Sequence, residues 1–334
     1  MIIDIFTHMA PQPYLDFLNS RGNASIRDKV ARVMEIASDR PQAIHVKKRV
    51  EYLDQYGIDK QVITLVHMLD SNVVVDDNAE KLEIARKIND AMARVMEESG
   101  GKLVGAASVP LDLLDKGGLQ EMDRAIKTLG LKAVALSTHL KGKSLDSPEY
   151  RDFWSHAVEL DVPVYIHPTN PVSKEGRTYE ADFDITHIFG WPFETTIVLT
   201  RLVMSGIMEE LPKLKVISHH LGGGMIPFLF GRIGESYTDK IQLKTAGRIL
   251  PRPPAEYFRL FYYDTAVGGS AASIKLASEI MGADQVVFAT DFPHGPNGGL
   301  DRLRTYPGVI RSLDIPEADK NKILGGNAAR ILNL

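Results

Sequence analysis

Short apolar, β-branched runs alternate along this chain with longer stretches of helical period, the pattern of strand–helix units wound around a parallel sheet. Residues 2–5, 61–66, 103–108, 133–137, 163–167, 216–219, 260–264 and 285–290 read as strands. Most of these runs are apolar throughout rather than alternating, as strands covered on both faces are. Helices are predicted between them, among them 79–98 and 148–160. The second opens on Ser147-Pro148-Glu149, with proline in the first turn.

Eight strand–helix units in 334 residues predict a (β/α)8 TIM barrel, α/β in class, forming one domain over 1–334. Such a barrel takes about 250 residues, and the surplus has two homes. One is 11–44, polar and helix-prone, after the first strand; the other is 169–189, an irregular stretch after the fifth. A doubly wound sheet is the competitor, but no glycine-rich phosphate turn follows Ile5.

Composition narrows the chemistry. Apolar residues are 44% and charged residues 25% of the chain, with a formal net charge of −4. That is a globular balance without the basic excess that nucleic acid demands. Cysteine is absent, which removes disulfides, thiolate metal sites and cysteine nucleophiles together. No apolar run reaches the roughly 18–20 residues of a membrane helix. Residues 1–11 lack the basic segment of a signal peptide and hold Asp4 and His8 among their apolar positions. These features predict a soluble, cytoplasmic protein with neither nucleic acid nor membrane as partner.

In a barrel of this kind the chemistry sits where strands end, at one shared rim. The first strand runs into Thr7-His8, the fifth into His167-Pro168, the sixth into His219-His220-Leu221-Gly222-Gly223-Gly224, and the eighth into Thr290-Asp291-Phe292-Pro293. Four of ten histidines and one aspartate therefore converge. Two imidazoles and a carboxylate with open positions suit a catalytic divalent metal. Each position also has a plain reading. A lone strand-end histidine commonly bonds its own loop, and Asp before Phe-Pro commonly makes a turn. In a regular strand His219 and His220 face opposite sides, so one is assigned to function and the other to structure unless a bulge re-aims them. The three glycines fit a close approach of substrate to backbone amide donors or a plain turn equally well. Gly268-Gly269-Ser270 fails the nucleophile-elbow pattern, since Ala272 stands where the last glycine belongs. Arg27, Arg32, His45 and Arg49 read as solvated residues of the first insertion, and Tyr179 and Trp191 as packing.

With these residues in view, the sequence resembles the amidohydrolase superfamily, and within it the aminocarboxymuconate-semialdehyde decarboxylase group. The matching stretches are MIIDIFTHMAP, KKRVEYLDQYGIDKQVITL, PVYIHP, FETTIVLTRLVMSGIMEELPKLKVISHHLGGGMIPFLFGRI and FATDFPHGP, in the group's order from first strand to last. The resemblance implies metal ligation by His8, His167 and Asp291. It also implies a catalytic role for His220, with Asp291 sharing proton transfer. Leu221 then stands as a one-residue insertion before the glycines. Arg232 falls on an arginine that holds a substrate carboxylate in a neighbouring subunit, which implies a homodimer. The implied cofactor is a divalent metal, Zn2+ first, with Mn2+ and Fe2+ suited to the same donors.

One position departs. The family reads Asp-x-His-x-His, whereas this chain has Asp4-Ile5-Phe6-Thr7-His8, so phenylalanine stands where the first ligand belongs. Some related decarboxylases place a carboxylate there, which still coordinates. Three readings follow: the metal stays on His8, His167 and Asp291; it recruits His219 or His294; or it is lost. The leading expectation is a metal-dependent non-oxidative decarboxylase of a small aromatic or muconate-type carboxylic acid. A metal-dependent hydrolase or hydratase on the same barrel is the alternative, and a barrel that binds ligand without catalysis is the second.

Overall fold

A computed structural model describes residues 1–21, 24–75, 77–169, 185–238 and 250–334. Eight parallel strands are hydrogen-bonded in chain order: β1 Ile3–Met9, β2 Lys60–Leu65, β3 Leu103–Ala107, β4 Ala133–Ser137, β5 Val164–His167, β6 Val216–Ser218, β7 Tyr262–Asp264 and β8 Val286–Val287. The circle is closed by backbone bonds between β1 and the segment after β8. Ile5 N donates to Phe288 O at 2.9 Å, Asp291 N to Phe6 O at 3.1 Å and His8 N to Phe292 O at 2.7 Å. The barrel expected from the sequence is the barrel observed. A short antiparallel hairpin, His139–Leu140 with Lys143–Ser144, is added beyond β4.

The first surplus segment is helical as expected, forming α1 Gln12–Ser20 and α2 Ala24–Asp39, followed by α3 Val46–Tyr56. Helix α4, Asn78–Glu98, starts one residue earlier than its apolar period indicates, because the Asp77 carboxylate accepts from Glu80 N and caps it. It buries Ile84, Ile88, Met92 and Val95 against the barrel, each contributing at most about 1.5–3 kcal/mol. The helix begun at Ser147 opens with one 3₁₀ turn, Pro148–Tyr150, before α5 Arg151–Glu159. The second surplus segment is corrected in part. Positions 170–184, Tyr179 among them, lie outside the described residues, but Thr186–Gly190 is already helical and runs into α6 Trp191–Met204. Past β6 come α7 Met225–Phe228 and α8 Phe230–Thr238, and past β8 comes α9 Leu300–Ser312.

Two apolar layers result, one inside the barrel and one between the strands and the helices. The first strand crosses from one phase to the other. Its pairing with β2 shifts register between Asp4 and Thr7, the mark of a β-bulge. Ile3, Ile5 and Phe6 all join the inner layer as a result. Above the bulge the even-numbered residues Phe6 and His8 face the barrel mouth with ring centroids 4.7 Å apart. Asp4 is left outside the inner layer, fully buried, accepting from Gln61 Nε2 and from both the backbone and the hydroxyl of Thr290. Among the described residues, no helix is long and apolar enough to cross a membrane.

Candidate metal centre and active site

His8 lies inside β1 rather than on the loop after it, because that strand continues to Met9. Its Nδ1 contacts Thr64 Oγ1 at 3.0 Å, while the same hydroxyl donates to Thr7 O at 3.1 Å. A hydroxyl has one proton, so it accepts from His8 Nδ1–H, and Nε2 is left with its lone pair. That Nε2 stands 3.3 Å from Asp291 Oδ1. Two lone-pair donors this close need a cation between them, either a proton or a metal ion.

The same device recurs around the rim. His167 Nδ1 meets Pro168 O at 2.5 Å, His220 Nδ1 meets Ala266 O at 2.9 Å, and His219 Nδ1 meets Asp264 Oδ2 at 2.8 Å. In each case the acceptor fixes the ring and sets aside Nε2 as the open nitrogen, as the outer partners of metal-site histidines do. His219 Nε2 is buried with no hydrogen-bond partner among the described residues. Asp291 is oriented from its other side, where Oδ2 accepts from Arg302 Nη1 at 3.1 Å.

Burial works against charge on His167, His219 and His294. It pushes His219 and His294 down to about 4 and His167 well below its ordinary value, the surrounding imidazoles adding to the effect. Burial alone raises a carboxyl, but in Asp291 the surrounding imidazoles, the His8 contact first, outweigh it. Asp291 is held well below the usual carboxylate range. Neutral imidazoles beside an ionised carboxylate are the protonation states that divalent cations bind, so these residues fit such an ion.

The structure brings His8, His167, His220 and Asp291 to one mouth, with His8 and His167 ring centroids 5.0 Å apart and His167 and His220 6.5 Å apart. His8, Asp291 and His294 are drawn tightest, each offering a ligand atom within 4.8 Å of the others. The regular strand that would put His219 and His220 on opposite sides is not observed. The strand ends at Ser218, and His220 and Leu221 adopt φ of +54° and +58°. The chain therefore turns, and both imidazoles lie near Phe6, His219 at 3.3 Å and His220 at 5.7 Å between ring centroids. Arg232 is exposed on α8. None of the hydrogen bonds or ion pairs described above for the rim involves it.

Three further residues belong to the site. His67, directly after β2, bonds Ser137 Oγ through Nδ1 at 2.9 Å and Thr169 Oγ1 through Nε2 at 2.8 Å, and its ring stacks on His167. Burial pushes it down to about 4. Asp264 orients His219. Both stand at strand ends, the signal that exposed the others. Arg49 is the third. It is fully buried, not solvated, and donates to His8 O at 2.7 Å and to Gln61 Oε1 at 2.8 Å. Trp191 also lies nearer the chemistry than expected, 6.2 Å from the His167 ring.

Fold and rim together define a (β/α)8 enzyme of the kind whose chemistry is gathered around histidine and aspartate donors. The chain matches the amidohydrolase family model over residues 3–334 and belongs to that family. It is 30% identical over 288 residues to the 2-amino-3-carboxymuconate-6-semialdehyde decarboxylase of Dictyostelium discoideum, covering 86% of this chain and 76% of that one. It is 28% identical over 302 residues to the gamma-resorcylate decarboxylase of a Rhizobium species, covering 86% of each. The crystal structure of 5-carboxyvanillate decarboxylase from Sphingomonas paucimobilis matches with a TM-score of 0.83 at 25% identity, over 100% of this chain and 99% of that one.

Proposed function

We propose that this amidohydrolase-family enzyme is a metal-dependent, non-oxidative decarboxylase of a small aromatic or muconate-type carboxylic acid, working as one domain over 1–334. The observation that carries the reading is the opposed pair His8 Nε2 and Asp291 Oδ1, 3.3 Å apart at the barrel mouth, in a chain whose relatives named above are decarboxylases.

His8, His167 and Asp291 would hold the divalent ion, with zinc foremost and manganese or iron suited to the same donors. When bound, the ion supplies positive charge that stabilises the electron density left as the carboxylate departs. The remaining work falls to the chain. Ala266 O occupies His220 Nδ1–H, so His220 exchanges protons only at Nε2. Protonated there, it delivers the proton to the ring or alkene carbon as the bond to the carboxylate breaks. The electron pair of that bond stays on the carbon and carbon dioxide leaves. Asp291, fixed by Arg302 through Oδ2, would share in the proton movement.

Arg232 would hold a second acidic group of the substrate in the site of another copy, a bidentate role suited to guanidinium. A homodimer face is supported beside it. Phe228 is 77% exposed and Phe193 and Ile197 are each 42% exposed, on helices α7 and α6 that pack together. The test is incubation of the metal-loaded enzyme with 2,6-dihydroxybenzoate and 5-carboxyvanillate, following carbon dioxide and proton uptake. Carbon dioxide release with one proton consumed per turnover is the expected result. Release of a second acid from ester or amide analogues, with no carbon dioxide from any aromatic acid tried, would overturn it.

A further inference from the structure

We propose that His294 is a metal ligand in this chain, taking over the coordination given up at Phe6 and drawing the ion toward the turn that follows β8. This deepens the reading above and rests on it, since it requires that a divalent ion be bound.

Three observations carry it. Phe6 closes the ground where its own position would have coordinated. Its buried ring lies against His219 at 3.3 Å between centroids and 19° between planes, and stands 5.7 Å from both His167 and His220. An ion cannot share that volume, so open coordination is left on the far side of His8. There His294 stands, its ring 5.1 Å from the His8 ring. Its ligand atom lies within 4.8 Å of those of His8 and Asp291. Donors on one tetrahedral ion at about 2.0–2.2 Å stand about 3.3–3.5 Å apart. The His8–Asp291 pair is already at 3.3 Å, and a modest rotation of His294 completes the triangle.

The backbone explains how a residue three positions beyond Asp291 comes back to it. Asp291 has φ of +62°, and His294 N donates to Asp291 O at 2.9 Å, closing a tight turn that sets both side chains over the barrel. Gly299 makes the fold-back possible, because a Cβ there would meet the Phe292 ring at 2.7 Å and His294 O at 3.0 Å. Unlike the other rim histidines, His294 has neither ring nitrogen committed to a hydrogen bond among the described residues. It is half-buried and free to bring one toward an ion.

The experiment measures metal, not turnover. Full-length protein is loaded with Co2+ or Zn2+, dialysed, and assayed for metal per chain, for competition against a chelator and, with Co2+, for its visible spectrum. The expected outcome is about one ion per chain, with affinity reduced on the order of 100-fold in His294→Ala and a changed Co2+ spectrum. Phe6→His in the His294→Ala background should recover affinity, which also shows that the single variant is folded. If His294→Ala keeps wild-type affinity and spectrum while His8→Ala loses the ion, His294 is no ligand and the inference falls while the metal reading stands. If the wild-type chain retains no ion under any loading, both fall.

Discussion

Phe6 and His219 lie face to face, ring centroids 3.3 Å apart and planes 19° from parallel, with Phe6 fully buried and His219 Nε2 without a hydrogen-bond partner among the described residues. An apolar ring thus shields a nitrogen that would otherwise face a metal or a water. Phe6→His places a donor on that ground. It should increase metal retained per chain after dialysis against a chelator and leave the reaction product unchanged. A loss of metal in Phe6→His would show that the phenyl ring itself shapes the binding site.

Separate roles for ligands and proton donor predict separate phenotypes. His220 is pinned through Nδ1 and presents Nε2, so His220→Ala should retain metal and lose turnover by roughly 10²–10⁴, the value of a positioned acid–base group. His167→Ala and Asp291→Ala should lose both. Metal content and carbon dioxide release measured on the same preparations distinguish the two classes. Equal metal loss in all three variants would contradict the assignment.

Stability of the metal-free protein should fall on acidification. Burial depresses His67, His219 and His294 to about 4 from an ordinary 6.5. Between those values the unfolded chain binds protons that the folded chain refuses. The stability these groups contribute is present above pH 6.5 and is lost as pH falls toward 4, each by up to about 1.4 kcal/mol per pH unit. Asp4 works the opposite way, since burial raises it from 3.8 to about 7. One such group does not offset three. Urea midpoints at pH 7 and pH 5 should therefore differ, with the lower value at pH 5; a higher midpoint at pH 5 would refute the balance.

Arg49 and Asp4 should be coupled through Gln61, which accepts from Arg49 Nε and donates to Asp4 Oδ2. Arg49 sits over the Phe292 ring at 4.9 Å and supports the His8 carbonyl, and burial holds it down to about 9 against the raising field of Asp4. Arg49→Met leaves His8 O and Gln61 Oε1 without their donor and removes the cation that favours ionised Asp4, a cost of about 1–3 kcal/mol. Arg49→Met with Asp4→Asn should recover part of that loss in thermal or chemical denaturation. Strict additivity of the two substitutions would show that they do not interact.

Much of the barrel is legible in the sequence, because fully apolar strands between amphipathic helices allow few architectures. The strand-end rule found His8, His167, His220 and Asp291, and applied to every strand it would also have found His67 and Asp264. Arg49 was misread because composition treats a basic residue on an amphipathic helix as solvated. Its burial depends on Asp4 and Gln61, which belong to two different strands. That His219 and His220 both lie near Phe6 is not legible in the sequence, because strand alternation assumes a regular strand, and this one stops at Ser218 for a left-handed turn.

The order of apolar runs and breaks along the chain points to eight parallel strands covered on both faces, and the absence of a glycine-rich turn after Ile5 favours the barrel over a doubly wound sheet. The identities of the residues at their ends likewise limit the chemistry to nitrogen and oxygen donors in a protein without cysteine. Which of those donors meet is a matter of tertiary structure. The bulge at the start of β1 turns Phe6 and His8 inward together, and the turn after β8 folds His294 back beside Asp291. Both depend on contacts between the first and last strands, formed by residues nearly the whole length of the chain apart, and no local pattern encodes them.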